Sequence, residues 1–143
     1  MSAREKGAWI CLLTTVAVFG PYFVQVFRLL ARGELTAGSV ITAFFIASFW
    51  QVLLNVVVQV VIAIRSRHEP KDERDAVIES KSFRHAYWVF AYFVWPVIML
   101  APLLAPGSPF LAPAFISQLV FLCFVLAEVT RYLTQVMYYR RGS

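Results

Sequence analysis

Charge is scarce in this chain. Asp, Glu, Lys and Arg together make up 15% of its 143 residues, against about 25% in a soluble domain. Cysteine and histidine occur twice each. Aspartate occurs only at Asp72 and Asp75, and neither aspartate nor histidine falls inside a long apolar run. That excludes a Ser–His dyad and a pair of aspartates for chemistry within a membrane. There is no C-x-x-C, so a thiol–disulfide enzyme is not expected, and Cys11 and Cys123 read as small buried apolar residues. His68 and Asp72 could suggest a metal pair, but Pro70 between them breaks helical spacing. P-loop and G-x-G-x-x-G motifs are missing as well. No metal, no cofactor and no catalytic residue is expected, and the protein reads as not an enzyme.

What fills the chain is apolar. Hydrophobic residues reach 60% and aromatic residues 16%, and the mean hydropathy is +0.70. A soluble domain is about 45–50% apolar. The composition excludes a soluble globular protein, a disordered tail and a disulfide scaffold, and leaves a polytopic membrane protein. The net charge of +5 sits beside apolar runs, so the positive-inside bias accounts for it. No basic stripe carries interleaved aromatics, and no nucleic-acid partner is expected. The expected partner is the bilayer.

Four apolar runs are long enough to matter. They cover 8–30, 40–64, 86–104 and 114–136. A helix rises 1.5 Å per residue, so about 20 residues cross a hydrocarbon core of roughly 30 Å. None of the runs alternates with period two, and each exceeds the length of a barrel strand, so helices are expected. The first run continues apolar past any small-x-small site, which reads as an uncleaved helix. The whole chain, 1–143, forms one membrane domain in this reading.

Lys and Arg counts orient it. The segment 65–85 holds Arg65, Arg67, Lys71, Arg74, Lys81 and Arg84. The N-terminus adds Arg4 and Lys6, and the C-terminus Arg140 and Arg141. The first short loop has only Arg32, and the second, 105–112, has no charge. Both termini and the segment 65–85 are therefore expected on the cytoplasmic side. Short outer loops make two antiparallel hairpins, a four-helix bundle. The hairpins share L-L-A-x-G at Leu29–Gly33 and Leu103–Gly107, each preceded by a mid-helix proline, Pro21 and Pro96. Asn55 and Gln59 on one returning helix match Arg131 and Gln135 on the other. A duplicated hairpin or shared composition would both explain this.

Polar residues inside the spans form one candidate site. Glu128 is costly in a bilayer, and Arg131 follows three residues later on the same helix face. The pair reads either as a structural ion pair, with Arg131 snorkelling, or as a coupling site built on Glu128. Gln51, Asn55 and Gln59 repeat at spacing four on the second span, with Ser48 just before. They read as interhelical glue or as the lining of a cavity. Thr14 and Thr15 fall at the same depth, so Glu128, Arg131, Asn55, Gln59, Gln51 and Thr14 make the candidate intramembrane site.

The segment 65–85 carries the second candidate. Acids at its front and bases at its back suit a helix dipole, with Asp72 as N-cap. It reads as an amphipathic helix at the interface feeding the third span. Asp72, Glu73, Arg74, Asp75, Glu79, Lys81 and Arg84 form the candidate cytoplasmic partner surface. The run D-E-R-D-x-x-I-E-x-K-x-x-R-x-x-Y, Asp72 to Tyr87, resembles a motif of small, uncharacterised bacterial four-helix membrane proteins grouped under domains of unknown function. That resemblance implies the bacterial inner membrane and no activity. The expected function is that of a non-catalytic membrane protein acting by self-association or as a regulatory or accessory partner of another membrane or cytoplasmic protein. A homo-oligomer is expected because four helices enclose little space. The alternative is a small oligomeric ion-coupled transporter with Glu128 as the coupling carboxylate.

Overall fold

The computed structural model describes residues 3–65, 73–100 and 113–141. It is all-helical over these residues, with α1 (Ala3–Ala31), α2 (Ala37–Arg65), α3 (Glu73–Leu100) and α4 (Pro113–Arg141), and no strand among them. Three helices, α1, α2 and α4, are long and apolar enough to cross a membrane. Each is 29 residues long, about 43 Å at 1.5 Å per residue. The apolar part of α3 within the described residues runs over 86–100, and the last expected residues of its span, 101–104, lie outside them.

The helices extend beyond the apolar runs that mark them. The flanks are rich in helix formers such as Arg4, Glu5 and Lys6, so the backbone stays helical after the hydrophobic pattern ends. The most visible case is α3. The segment expected as a separate interfacial helix has no helix of its own from Glu73 onward. It forms the first turns of one uninterrupted helix reaching Leu100, because no Gly or Pro interrupts Glu73 to Trp95. Asp72, the expected N-cap, lies outside the described residues. Pro21 and Pro96 both sit within continuous helix.

The α1–α2 connection is closed at both sides by its own hydrogen bonds. Gly33 takes φ of 68°, a left-handed conformation that glycine adopts without Cβ strain. Its N–H donates to the Leu30 carbonyl at 3.0 Å, and the Glu34 N–H donates to Leu29 at 3.0 Å. That is a Schellman ending, which satisfies carbonyls the helix leaves free. Thr36 then caps α2: the Ser39 N–H donates to Thr36 Oγ1 and the Thr36 N–H to Ser39 Oγ, both at 3.3 Å. This is a reciprocal capping box with serine in the third position.

α1 is packed against α2 and α4, and α4 against α1 and α3. The burial pattern follows. On α1, Ala8, Cys11, Leu12, Thr15, Phe19, Tyr22, Phe23 and Val26 form one buried stripe at helical spacing. On α2, Val40, Ala47 and Gln51 are buried, while Phe49, Trp50, Val56 and Ile64 are exposed. An apolar surface of this extent suits a lipid environment. α3 packs on α4; its buried residues are Ile78, Ser82 and Ala86, and Ser82 is fully buried. Small side chains let the two backbones approach closely. Gln135 Nε2 donates to Ser82 Oγ at 3.2 Å, and Ser82 Oγ donates to the Glu79 carbonyl at 2.7 Å.

Packing places the N-termini of α1 and α3 and the C-termini of α2 and α4 at one end, which we call the basic end. Arg4, Ile62, Asp75, Glu79, Gln135 and Tyr139 all border one small cavity there. Arg4 is ion-paired with Asp75. The opposite half is filled by rings. Phe121 is at their centre, 4.8 Å from Phe44, 5.3 Å from Phe19, 5.8 Å from Tyr22 and 5.7 Å from Phe23, centroid to centroid. Tyr22 donates a buried hydrogen bond to Gln118 Oε1. Hairpin duplication is not expressed as symmetric packing. The symmetry mate of the α1–α4 pair would be α3–α2, and these do not pack closely among the described residues. The second L-L-A-x-G lies outside those residues.

Candidate functional site

A cavity of about 410 Å³ lies between α1, α2 and α4. Thr15 and Phe19 line it from α1; Phe44, Ser48, Gln51, Val52 and Asn55 from α2; and Phe121, Phe124, Val125, Glu128, Arg131 and Tyr132 from α4. Helical periodicity explains the α2 side. Phe44, Ser48, Gln51 and Asn55 are three or four residues apart and share a face.

The polar end is built around Gln51, which is 8% exposed. Thr15 Oγ1 donates to the Cys11 carbonyl at 2.8 Å, so its single proton is committed and the oxygen can only accept. Gln51 Nε2 donates to it at 3.0 Å. This chain of bonds fixes the amide orientation: nitrogen to Thr15, oxygen away from it. Gln51 Oε1 is buried with no hydrogen-bond partner, and so are Asn55 Oδ1 and Arg131 Nε. Three unpaired polar atoms from two helices therefore belong to side chains lining one cavity. A buried unpaired polar group costs about 1–3 kcal/mol, so three together call for an account.

Glu128 and Arg131 are partners. Arg131 Nη1 lies 3.4 Å from Glu128 Oε2, at three-residue spacing on α4. The guanidinium also lies over the Phe83 ring at 3.9 Å and the Tyr132 ring at 5.3 Å, contacts of the cation–π kind. Arg131 and Tyr132 border a second cavity too, the one of about 240 Å³ at the basic end. A third, of about 630 Å³, is almost wholly apolar. It shares Phe44, Phe121 and Phe124 with the middle cavity and adds Val40, Ile41, Phe45, Phe90, Ser117, Gln118 and Val120. The three cavities lie in file along the bundle, polar at the basic end and apolar at the other.

Compared with known proteins, the chain matches no family model, no curated protein and no solved structure.

Of the expected intramembrane residues, Gln51, Asn55, Glu128 and Arg131 come together in the middle cavity. Gln59 borders the basic-end cavity instead. Eight residues turn a helix about 80° beyond two full turns, so Gln59 cannot share the face of Gln51. Thr14 is not in the lining. Its hydroxyl donates to the Cys11 carbonyl at 3.0 Å, and its neighbour Thr15 is the threonine that supports Gln51. Tyr132, Phe83 and Phe124 join the site without a sequence signal beyond the general apolar pattern.

On the expected partner surface, Asp75 pairs with Arg4 and Glu79 borders the basic-end cavity. Lys81 lies 5.4 Å from the Tyr138 ring centroid. Glu73, Arg74, Lys81 and Arg84 are exposed. Among the described residues no cluster of three His, Cys, Asp or Glu side chains could hold a metal ion.

Proposed function

We propose that this chain is a non-catalytic integral membrane protein that works by binding, and that its working part is the cavity between α1, α2 and α4. The three unpartnered buried polar atoms of Gln51, Asn55 and Arg131 carry this reading. A structural polar cluster closes its hydrogen bonds, whereas this one leaves three buried polar atoms of cavity-lining side chains unpaired. The Glu128–Arg131 pair is neutral as a unit, so the cavity favours a neutral or zwitterionic guest over a bare coupling ion. This supports a binding or accessory role over an ion-coupled carrier. The same reading puts the protein in a bacterial inner membrane with both termini cytoplasmic, in line with the basic residues of the termini and of 65–85. Glu73, Arg74, Lys81 and Arg84 remain available to a cytoplasmic partner.

The test is native mass spectrometry of the full chain, extracted with its own lipids and then exchanged into detergent. The wild type should retain a guest that the Gln51→Leu/Asn55→Leu variant loses. Equal, bare masses for both would refute the reading. A second reading, self-association through α2, is favoured by its exposed row of Phe49, Trp50, Leu53, Val56 and Val57. Phe49→Ala/Trp50→Ala should then shift the particle mass in light scattering, and an unchanged mass would exclude that face.

A further inference from the structure

α2 and α4 are separated by a slot rather than joined by a seam. The two helices are not among the closely packed pairs, and their side chains meet across the gap at Phe44 and Phe121. The middle and apolar cavities share this boundary. Together the two cavities line one slot from Arg131 to Ser117, with a polar basic end, an apolar remainder and the touching rings of Phe44 and Phe121 at the boundary between them. Fourteen residues of helix make the slot about 21 Å long, longer than half of a roughly 30 Å hydrocarbon core.

Its two ends specify an amphiphile, and the polar end specifies the headgroup. Gln51 Oε1 and Asn55 Oδ1 need hydrogen-bond donors, and Glu128 offers a carboxylate beside them. Arg131 Nε–H needs an acceptor. A primary ammonium supplies three donors and a positive charge. A phosphate diester supplies acceptors and a negative charge. The orientation of Gln51, held by Thr15 and Cys11, means that a headgroup bearing acceptors alone leaves this oxygen unpaired. We propose that the slot is a binding site for a bilayer phospholipid with a zwitterionic phosphoethanolamine headgroup. The ammonium sits against Gln51, Asn55 and Glu128, the phosphate against Arg131, and one acyl chain lies along Phe44, Phe121 and Phe90. This rests on the reading of the middle cavity as a ligand site and names its ligand.

The test uses the full chain in nanodiscs of phosphatidylcholine doped with phosphatidylethanolamine or with its N-methyl, N,N-dimethyl and phosphatidylglycerol analogues. Native mass spectrometry after detergent release reads the retained lipid. Retention should fall stepwise as N–H donors are methylated away, by about tenfold from the primary to the quaternary ammonium. Gln51→Leu/Asn55→Leu should abolish the discrimination. The methylation series needs no variant, so a misfolded variant cannot rescue the idea. Equal retention across the series overturns the proposal. If the wild type instead keeps a different small molecule that the double variant loses, the phospholipid assignment fails while the cavity remains a ligand site. If neither protein holds anything but water, both fail.

Discussion

Replacing Gln51 by leucine should make the delipidated protein more stable, the opposite of the usual result for a buried interhelical hydrogen bond. The loss is the bond from Gln51 Nε2 to Thr15, 3.0 Å long. Such bonds average about 0.6 kcal/mol in a bilayer and reach about 1.7. Thr15 keeps its bond to the Cys11 carbonyl, so no new donor is orphaned. The gain is removal of the unpaired buried Oε1, which costs about 1–3 kcal/mol while it is there. Leucine is close to glutamine in size, so little cavity or overpacking cost is added. The balance is about 1 kcal/mol in favour of the variant. Reversible unfolding in mixed micelles with rising denaturing detergent would measure it. Repeating the titration with saturating ligand should reverse the order, because only the wild type then gains binding energy. A variant destabilised by about 1 kcal/mol or more without ligand would show that Oε1 has a partner and that the site is not open.

Three further outcomes follow from other contacts. Arg131→Leu should destabilise by about 1–2 kcal/mol because it leaves the partly buried Glu128 without its partner; adding Glu128→Leu should restore most of the loss, and a double variant no better than the single would deny the coupling. Ser82 is fully buried between α3 and α4, so Ser82→Phe should cost about 1–3 kcal/mol or more, whereas Ser82→Ala should cost about 0.6; similar thermal midpoints for the two would contradict the close packing. Cys11 and Cys123 are both buried, so Ser108→Cys should provide the reactive thiol, labelled by an impermeant reagent from outside. Labelling only after permeabilisation would reverse the orientation.

Much of the fold was legible because a bilayer permits few solutions. Apolar runs of spanning length must be helices, and short loops must make them neighbours. The helix ends were less legible. Hydropathy marks where lipid begins, not where the backbone stops being helical, so the described part of the segment 65–85, residues 73–85, reads as a separate element although it is the start of α3. The site was half legible. Spacing along α2 and depth together group Gln51 and Asn55 with Glu128 and Arg131. Depth could not separate Thr14 from Thr15, which differ by about 100° around α1, nor could a spacing of four show that Gln59 turns away. The unpaired oxygens were out of reach, since a glutamine in a span gives no sign of which neighbours will satisfy it.

The clamped turn at Gly33–Thr36 has a mechanical consequence. α2 is hinged to α1 at one end by bonds that belong to the turn itself, and near the other it approaches closely where Gly7 faces Ile62. It is thus supported like a beam at two points along one neighbour. Its distance from α4 is set by those supports and not by adhesion between α2 and α4. For a guest of the proposed kind, entry would then require no separation of two closely packed helices, because α2 and α4 are not such a pair.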